Sequence, residues 1–542
     1  MGRHDDFMME ALVDFPDDAL GAPEPITVAH IDAMMRRLAE CGVRRVSWGY
    51  YADGLGGFLT PTHDPQWSNL ARTYQALGQN PLAVAVAAAH RYGLELFAYF
   101  KPYETGPACL FPMGSLEAAA YGRLDQVGGR MTWIHPFVAN HPHLRIKRRA
   151  DDPVPDASQA AIASMKLRKS DSAPTRITGE HLKIWVSDLN HRYRVLDVPF
   201  TFVDSVEAGR DGPQRVLTLS GLDLRTPYVL VTTDFTEGPA DFANNALEMV
   251  TACDADGREL PCEVATGWAV WFADRVDFRS WGVMFDTGWS GVAPVCLDEP
   301  NAGGRDGFVA IARGRNAYLP GALCETEPEV QAFWLSCIQS MLDAGVDGID
   351  FREENHSTHT DHPLDYGFND AVIARCRERG GVDLATIAAV RGDAYTSFLQ
   401  RAKRLINGRG RTMRIHFQID WYRSDPDVGR LPAYPANIDF QWRRWIDLGL
   451  TDSAVLRFFA LPFDCVFNDA VAHELVDRCR AGGIPITVNR YIHRETLVDE
   501  VRRVKEDGRF AGFILYETNS FMGFDTAGGC TITAPEVVEL CR

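Results

Sequence analysis

An α/β fold, specifically a (β/α)8 TIM barrel interrupted by an inserted β-sandwich-like domain, is predicted by three features of the 542-residue chain. Helix-period segments alternate with short apolar runs, and such alternation generates a parallel sheet with right-handed crossovers. Seven of these runs are distinct, and an eighth would close a barrel. From about Asp151 to Asn316 the texture changes to period-two runs separated by Gly, Asp and Pro, the pattern of a β-rich module. The expected organisation is therefore 1–150 for the first part of the barrel, 151–316 for the insertion and 317–542 for the remainder.

After a polar leader, Ile26 to Glu40 carries Ile31, Met34, Met35 and Leu38 on one helical face, with Thr27 as N-cap. Val43 to Tyr51 follows as the first recognisable strand, Pro81 to Tyr92 as a helix, and Leu94 to Tyr103 as the next strand. Gly106 to Arg149 is loop-rich. In the insertion, His181–Val186, Tyr193–Val198, Arg215–Leu219, Tyr228–Thr232 and Trp268–Phe272 read as strands. One barrel strand is left unplaced near the insertion, around Met131 to Val138 or Phe308 to Ala312.

The series resumes with an amphipathic helix, Pro328 to Asp343, which Ala344-Gly345 closes, and a buried strand, Val346-Asp-Gly-Ile-Asp-Phe351, that ends in Arg352-Glu353-Glu354. Strands follow at Thr412 to Asp420, Asp452 to Phe459, Ile484 to Tyr491 and Phe510 to Thr518. Helices at Phe440–Leu448, Ala470–Arg480 and Arg494–Glu506 separate them.

The net charge of −18 argues against nucleic acid or an anionic membrane as partner, because both would be repelled. It leaves a homo-oligomer open. No run has signal-peptide or membrane-spanning character, so a soluble, cytoplasmic protein is expected. The twelve cysteines form no C-x-x-C pair, as expected of reduced thiols. No phosphate loop or dinucleotide fingerprint is present, and no cofactor is expected.

In a barrel the C-terminal strand ends face the ligand. The catalytic candidates there are Glu353, first choice for a proton donor, with Asp350, Asp420 and Glu517 as nucleophile or base. A carboxylate pair suits glycosidic cleavage, since one group must be protonated and the other charged. Substrate-binding candidates are Trp48, Tyr50, Tyr99, Lys101, Arg352, Glu354, His416, Trp421, Arg457, Asn489, Arg490 and Tyr516. The aromatic rings suit the apolar faces of sugars. Lys101 reads as a paired lysine in preference to a Schiff-base lysine. Glu354 to His362 holds three histidines and two carboxylates, but its spacing fits no familiar zinc site, and no metal is assigned.

The order of motifs resembles the family-10-like glycosyl hydrolases, which are (β/α) barrels. The resemblance is carried by Tyr318-Leu319, Glu327-Pro-Glu-Val-Gln-Ala-Phe333, Val346–Phe351, Asp365-Tyr-Gly-Phe-Asn369, Trp442–Asp452 and Gly512–Glu517, and covers about 26–145 and 316–540. It implies a glycoside hydrolase acting on a carbohydrate, with acidic residues near Arg352-Glu353. Arg352 stands where an acid is expected, and Val488-Asn-Arg-Tyr491 has no acid at a strand where many retaining barrels carry their nucleophile. Two other readings stay open: a non-catalytic carbohydrate-binding protein on a hydrolase-like scaffold, and a metal-dependent barrel hydrolase or lyase.

Overall fold

The computed structural model describes residues 7–50, 72–104, 135–150, 160–188, 193–233, 250–266, 308–353, 363–422, 435–458 and 461–540, apart from 79, 136, 139–140, 170, 210–211 and 315–317. Eight parallel strands close a barrel: β1 (Met8–Val13), β2 (Val43–Tyr50), β3 (Glu95–Phe100), β4 (Gly348–Phe351), β5 (Thr412–Gln418), β6 (Ser453–Arg457), β7 (Ile486–Tyr491) and β8 (Gly512–Tyr516). Around the barrel the order is β1, β8, β7, β6, β5, β4, β3, β2, so β1 lies opposite β5, and β4 opposite β8.

The eighth strand is not beside the insertion. It is β1, which pairs Met8 with Gly512 of β8 and Met9 with Val43 of β2. In sequence this segment reads as a polar leader because Glu10 interrupts it. In the structure Glu10 is buried and neutralised, its carboxylate accepting from Arg414 of β5 at 2.6 Å and from Arg45 of β2 at 3.2 Å. Phe308–Arg313, the other location expected for a barrel strand, belongs to an antiparallel sheet outside the barrel. Residues 131–134, and the expected strand Trp268–Phe272, lie outside the described residues.

The helices form for the reasons their sequences suggest. Val28–Glu40 buries Ile31, Met34, Met35 and Leu38 in one stripe, and its first turn is closed by the Thr27 N–H donating to His30 Nδ1 at 3.0 Å. Pro328–Asp343 has proline at its start, where a missing N–H costs nothing, and ends at Gly345, whose φ of +92° suits glycine. Gly348 then opens β4. A Cβ there would lie 2.6 Å from the Phe97 ring and 2.8 Å from Thr412 Oγ1, so glycine lets the three strands meet.

Between β3 and β4 the chain leaves and returns through an antiparallel ribbon, Arg145–Lys147 against Tyr318–Leu323. Beyond it lie two antiparallel sheets. One has five strands, ordered Cys262–Thr266, Phe308–Arg313, Tyr228–Thr233, Leu182–Ser187 and Arg194–Val195. The other has four, ordered Val250–Cys253, Ile162–Arg168, Gly212–Leu224 and Thr201–Gly209. Met165, Leu217 and Leu219 from the second sheet join Ile184, Val229 and Val231 from the first in one buried cluster, separate from the barrel core. These sheets are consistent with an inserted domain. Among the described residues, no helix is long and apolar enough to cross a membrane.

Candidate functional site

Barrel interiors are ordinarily filled by branched aliphatic side chains. Here the floor is ionic. Arg414 donates to Glu10 across the barrel, and to Ser47 Oγ and Asp350 Oδ2, both at 2.8 Å. Asp350 Oδ2 also accepts from Ser47 Oγ at 3.2 Å and contacts His416 Nε2 at 2.8 Å. Burial works to raise the Asp350 carboxyl, but Arg414 and His416 outweigh it and hold the group well below the usual carboxylate range. Burial in turn lowers the His416 imidazole to about 4. A neutral imidazole facing a carboxylate must donate through Nε2–H, which leaves the Nδ1 lone pair available. Asp350 is thus bound up with Arg414, Ser47 and His416 at the floor of the site.

Above the floor lies an apolar layer of Leu12, Tyr99, Val455 and Ile514, topped by Tyr516. Arg352 of the β4 end and Arg457 of β6 both donate to the Tyr516 hydroxyl, at 2.8 and 2.9 Å. Arg457 also donates to Asn489 Oδ1 at 2.7 Å. The Arg352 guanidinium lies 4.7 Å from the Tyr99 ring centroid, and Tyr491 meets Tyr516 edge-on at 4.4 Å. Lys101 is buried and ion-paired with Glu104 at 2.8 Å; burial works to lower its ammonium, but Glu104 together with Asp14 and Tyr516 keeps it raised above its usual value. It is a paired lysine, as its residue type suggested.

Two carboxylates close enough to interact electrostatically stand at the rim of this mouth. Asp14 follows β1 directly, and Glu517 follows β8, the adjacent strand. The Glu517 carboxyl is raised by burial and by Asp14, against the lowering effects of Arg352, Arg457 and Lys101. Its backbone has φ +59° and ψ +98°, a conformation costing a non-glycine residue about 1–3 kcal/mol and commonest at functional sites.

Asp18, one turn beyond Asp14, accepts from Thr518 Oγ1 at 2.7 Å, and burial lifts its carboxyl from 3.8 to about 8. The folded state therefore keeps a proton that the unfolded chain has lost. Stability present below about pH 4 is lost progressively up to pH 8, by at most about 1.4 kcal/mol per pH unit. We expect Asp18→Asn, which preserves an acceptor for Thr518, to melt above the wild type at pH 9. The difference should vanish near pH 4 in thermal denaturation across that range.

The other predicted residues divide by the side of the strand they occupy. Glu353 is buried and accepts from the Tyr395 hydroxyl at 3.3 Å, a residue on the outer helix Leu384–Gly408. Asp420 accepts from Gln418 Nε2. Trp48 is a correction: its β2 neighbour Ser47 faces the interior, so Trp48 faces the helices, fully buried and stacked on Phe15 at 4.8 Å. Tyr50 has the same parity and packs against Phe100 at 6.4 Å. Trp421 stacks on Phe440 at 5.6 Å and is likewise a packing residue. Arg490 lies between the inward-facing Asn489 and Tyr491. It turns out to Glu500 at 3.0 Å, so it does not enter the mouth.

Glu354 and the His356–His362 segment lie outside the described residues. Among the described residues no three metal-ligating side chains converge. Asp14 and Asp18 escaped the sequence reading because β1 did. The signal was there in Leu12-Val13-Asp14, an apolar run ending in an acid, as in Ile349-Asp350.

No protein-family model matches the chain, and no curated protein matches it. Solved structures similar to it include the glycoside hydrolase domain of PelA from Pseudomonas aeruginosa, at 15% identity and a TM-score of 0.22, covering 39% of this chain and 68% of that one. Alpha-L-fucosidase isoenzyme 2 from Paenibacillus thiaminolyticus is 9% identical with a TM-score of 0.39, covering 99% of this chain and 48% of that one. The isomaltulose synthase SmuA from Protaminobacter rubrum is 6% identical with a TM-score of 0.36, covering 99% of this chain and 70% of that one.

Proposed function

We propose that the chain is a carbohydrate-active enzyme that cleaves a glycosidic bond in an oligo- or polysaccharide, as its motif resemblance to family-10-like glycosyl hydrolases implies. The observation that carries this reading is the pair Asp14 and Glu517 at the barrel mouth, with the Glu517 carboxyl raised by burial and by Asp14. A carboxyl so held is suited to deliver its proton to the leaving glycosidic oxygen as the C–O bond breaks. Asp14 then serves the anomeric carbon, either by direct attack or by taking a proton from the attacking water. Glu517 replaces Glu353 as first choice for the acid.

The interior supplies polar groups that suit sugar hydroxyls. His416 Nδ1 and Gln418 Oε1 are buried acceptors and Asn489 Nδ2 a buried donor, each without a partner among the described residues. Buried polar atoms are normally satisfied, and hydroxyl groups, which both donate and accept, would satisfy all three.

The test is hydrolysis of aryl glycosides and of plant, algal and bacterial polysaccharides by the wild type, Glu517→Gln and Glu353→Gln, with and without a chelator. Turnover that ignores the chelator and disappears in Glu517→Gln is the expected result. Glycan binding without turnover would establish the binding-protein reading, and loss of turnover with chelator the metal-dependent one.

A further inference from the structure

On the helical side of the barrel, a cavity of about 320 Å³ opens between three helices: the start of Pro328–Asp343, the end of Asp370–Glu378 and the middle of Leu384–Gly408. Its polar lining is Thr326, Gln331, Arg375, Arg379, Ser397 and Arg401, with Asp393 as its single carboxylate. Three guanidiniums thus face one acid, on a chain whose net charge is −18.

The arginines are held mainly by neutral oxygens. Arg401 Nη1 donates to Gln331 Oε1 at 2.9 Å, and Arg375 Nη2 to the Thr326 carbonyl at 3.3 Å. Gln331 is itself buried and locked, its Nε2 donating to the carbonyls of Glu325 and Ala394 at 2.9 and 3.2 Å, so only its oxygen can face Arg401. Arg379 pairs with Asp393 at 2.6 Å, but that carboxylate also accepts from Arg444 at 2.7 Å and from Gln441 at 2.9 Å. Glu327, at the start of the Pro328 helix, also interacts with Arg375, but it is not among the cavity's lining residues. Positive charge at this cavity therefore exceeds the negative charge available to neutralise it.

We propose that this cavity binds a phosphomonoester of a sugar-sized alcohol. A carboxylate is served by one guanidinium fork, whereas a phosphoryl group offers three oxygens and suits several forks at once. The volume sits at the low end for small-molecule sites, which run from roughly 300 to 1,000 Å³, and leaves room beside the phosphoryl group for a short polyol. Thr326 and Ser397 provide hydroxyls for that part. The binding site is independent of the chemistry assigned to the barrel mouth, and its test needs no turnover.

The experiment is isothermal titration calorimetry on the full chain with glucose 6-phosphate, glycerol 3-phosphate, inorganic phosphate and glucose, repeated with Arg375→Gln and Arg401→Gln. Both arginines are exposed surface residues, so the variants should fold, and unchanged thermal melting checks this. Expected are saturable binding of the phosphate esters, none of glucose, a loss of at least about tenfold in affinity in each variant, and weakening with added salt. Arg401→Lys, which keeps the charge but not the fork, should restore only part of the affinity. Binding that survives both glutamine variants, or the absence of any heat with the esters, overturns the proposal. Inorganic phosphate binding as tightly as the esters overturns the assignment of an esterified ligand.

Discussion

Glu325→Gln is expected to cost about 3–5 kcal/mol of stability, the loss typical when one partner of a buried ion pair is removed. Glu325 and Arg391 are both fully inaccessible, and they meet through two parallel bonds of 2.6 and 3.0 Å. Tyr103 adds a donor to Glu325 at 3.0 Å. Arg391 also ties down the carbonyls of Pro435, Ala436 and Asn437, holding a segment in which Ala436 has a φ of +55°. Removing the carboxylate's charge strands a guanidinium in the core and loosens that segment.

Arg391→Met should be similarly harmful. The double variant Glu325→Leu/Arg391→Met should recover much of the loss, because neither charge is then left unpaired. Denaturant unfolding of all four proteins measures this. Single and double variants of equal stability would show that Arg391 acts through its carbonyl contacts and not through the ion pair.

The second large effect is on rate. Glu517→Gln should lower kcat by about 10²–10⁴-fold, the usual contribution of a positioned general acid, without lowering the melting temperature. The pH profile adds a sign that a structural role would not produce. A proton donor is active below its pKa, so activity is lost as pH rises through the Glu517 value. Burial and Asp14 place that limb above the ordinary carboxyl range of 4.5.

Arg352, Arg457 and Lys101 pull the other way. The residual activity of Arg457→Gln should therefore fall off at higher pH than that of the wild type. For Asp14→Asn the fall should come at lower pH. A limb that moves in neither variant would remove Glu517 from the role of acid.

The chain's local pattern determined more of this protein than any single motif did. Helix-period stripes such as Ile31, Met34, Met35 and Leu38, terminators such as Gly345, and apolar runs ending in charge identify the βα series. These are properties of neighbouring residues, and periodicity reports them directly.

Three things were decided only by closure of the barrel. Met8–Val13 is a strand because Arg414, 404 positions away, neutralises Glu10 inside the barrel, and no local pattern shows that partner. Trp48, Tyr50 and Arg490 face the helices and not the mouth because strand parity is set by which neighbours turn inward. Asp14 and Glu517, near opposite ends of the chain, stand together because β1 pairs with β8. Spacing along a chain records which residues can share a face, whereas closure of the barrel decides which of them stand together.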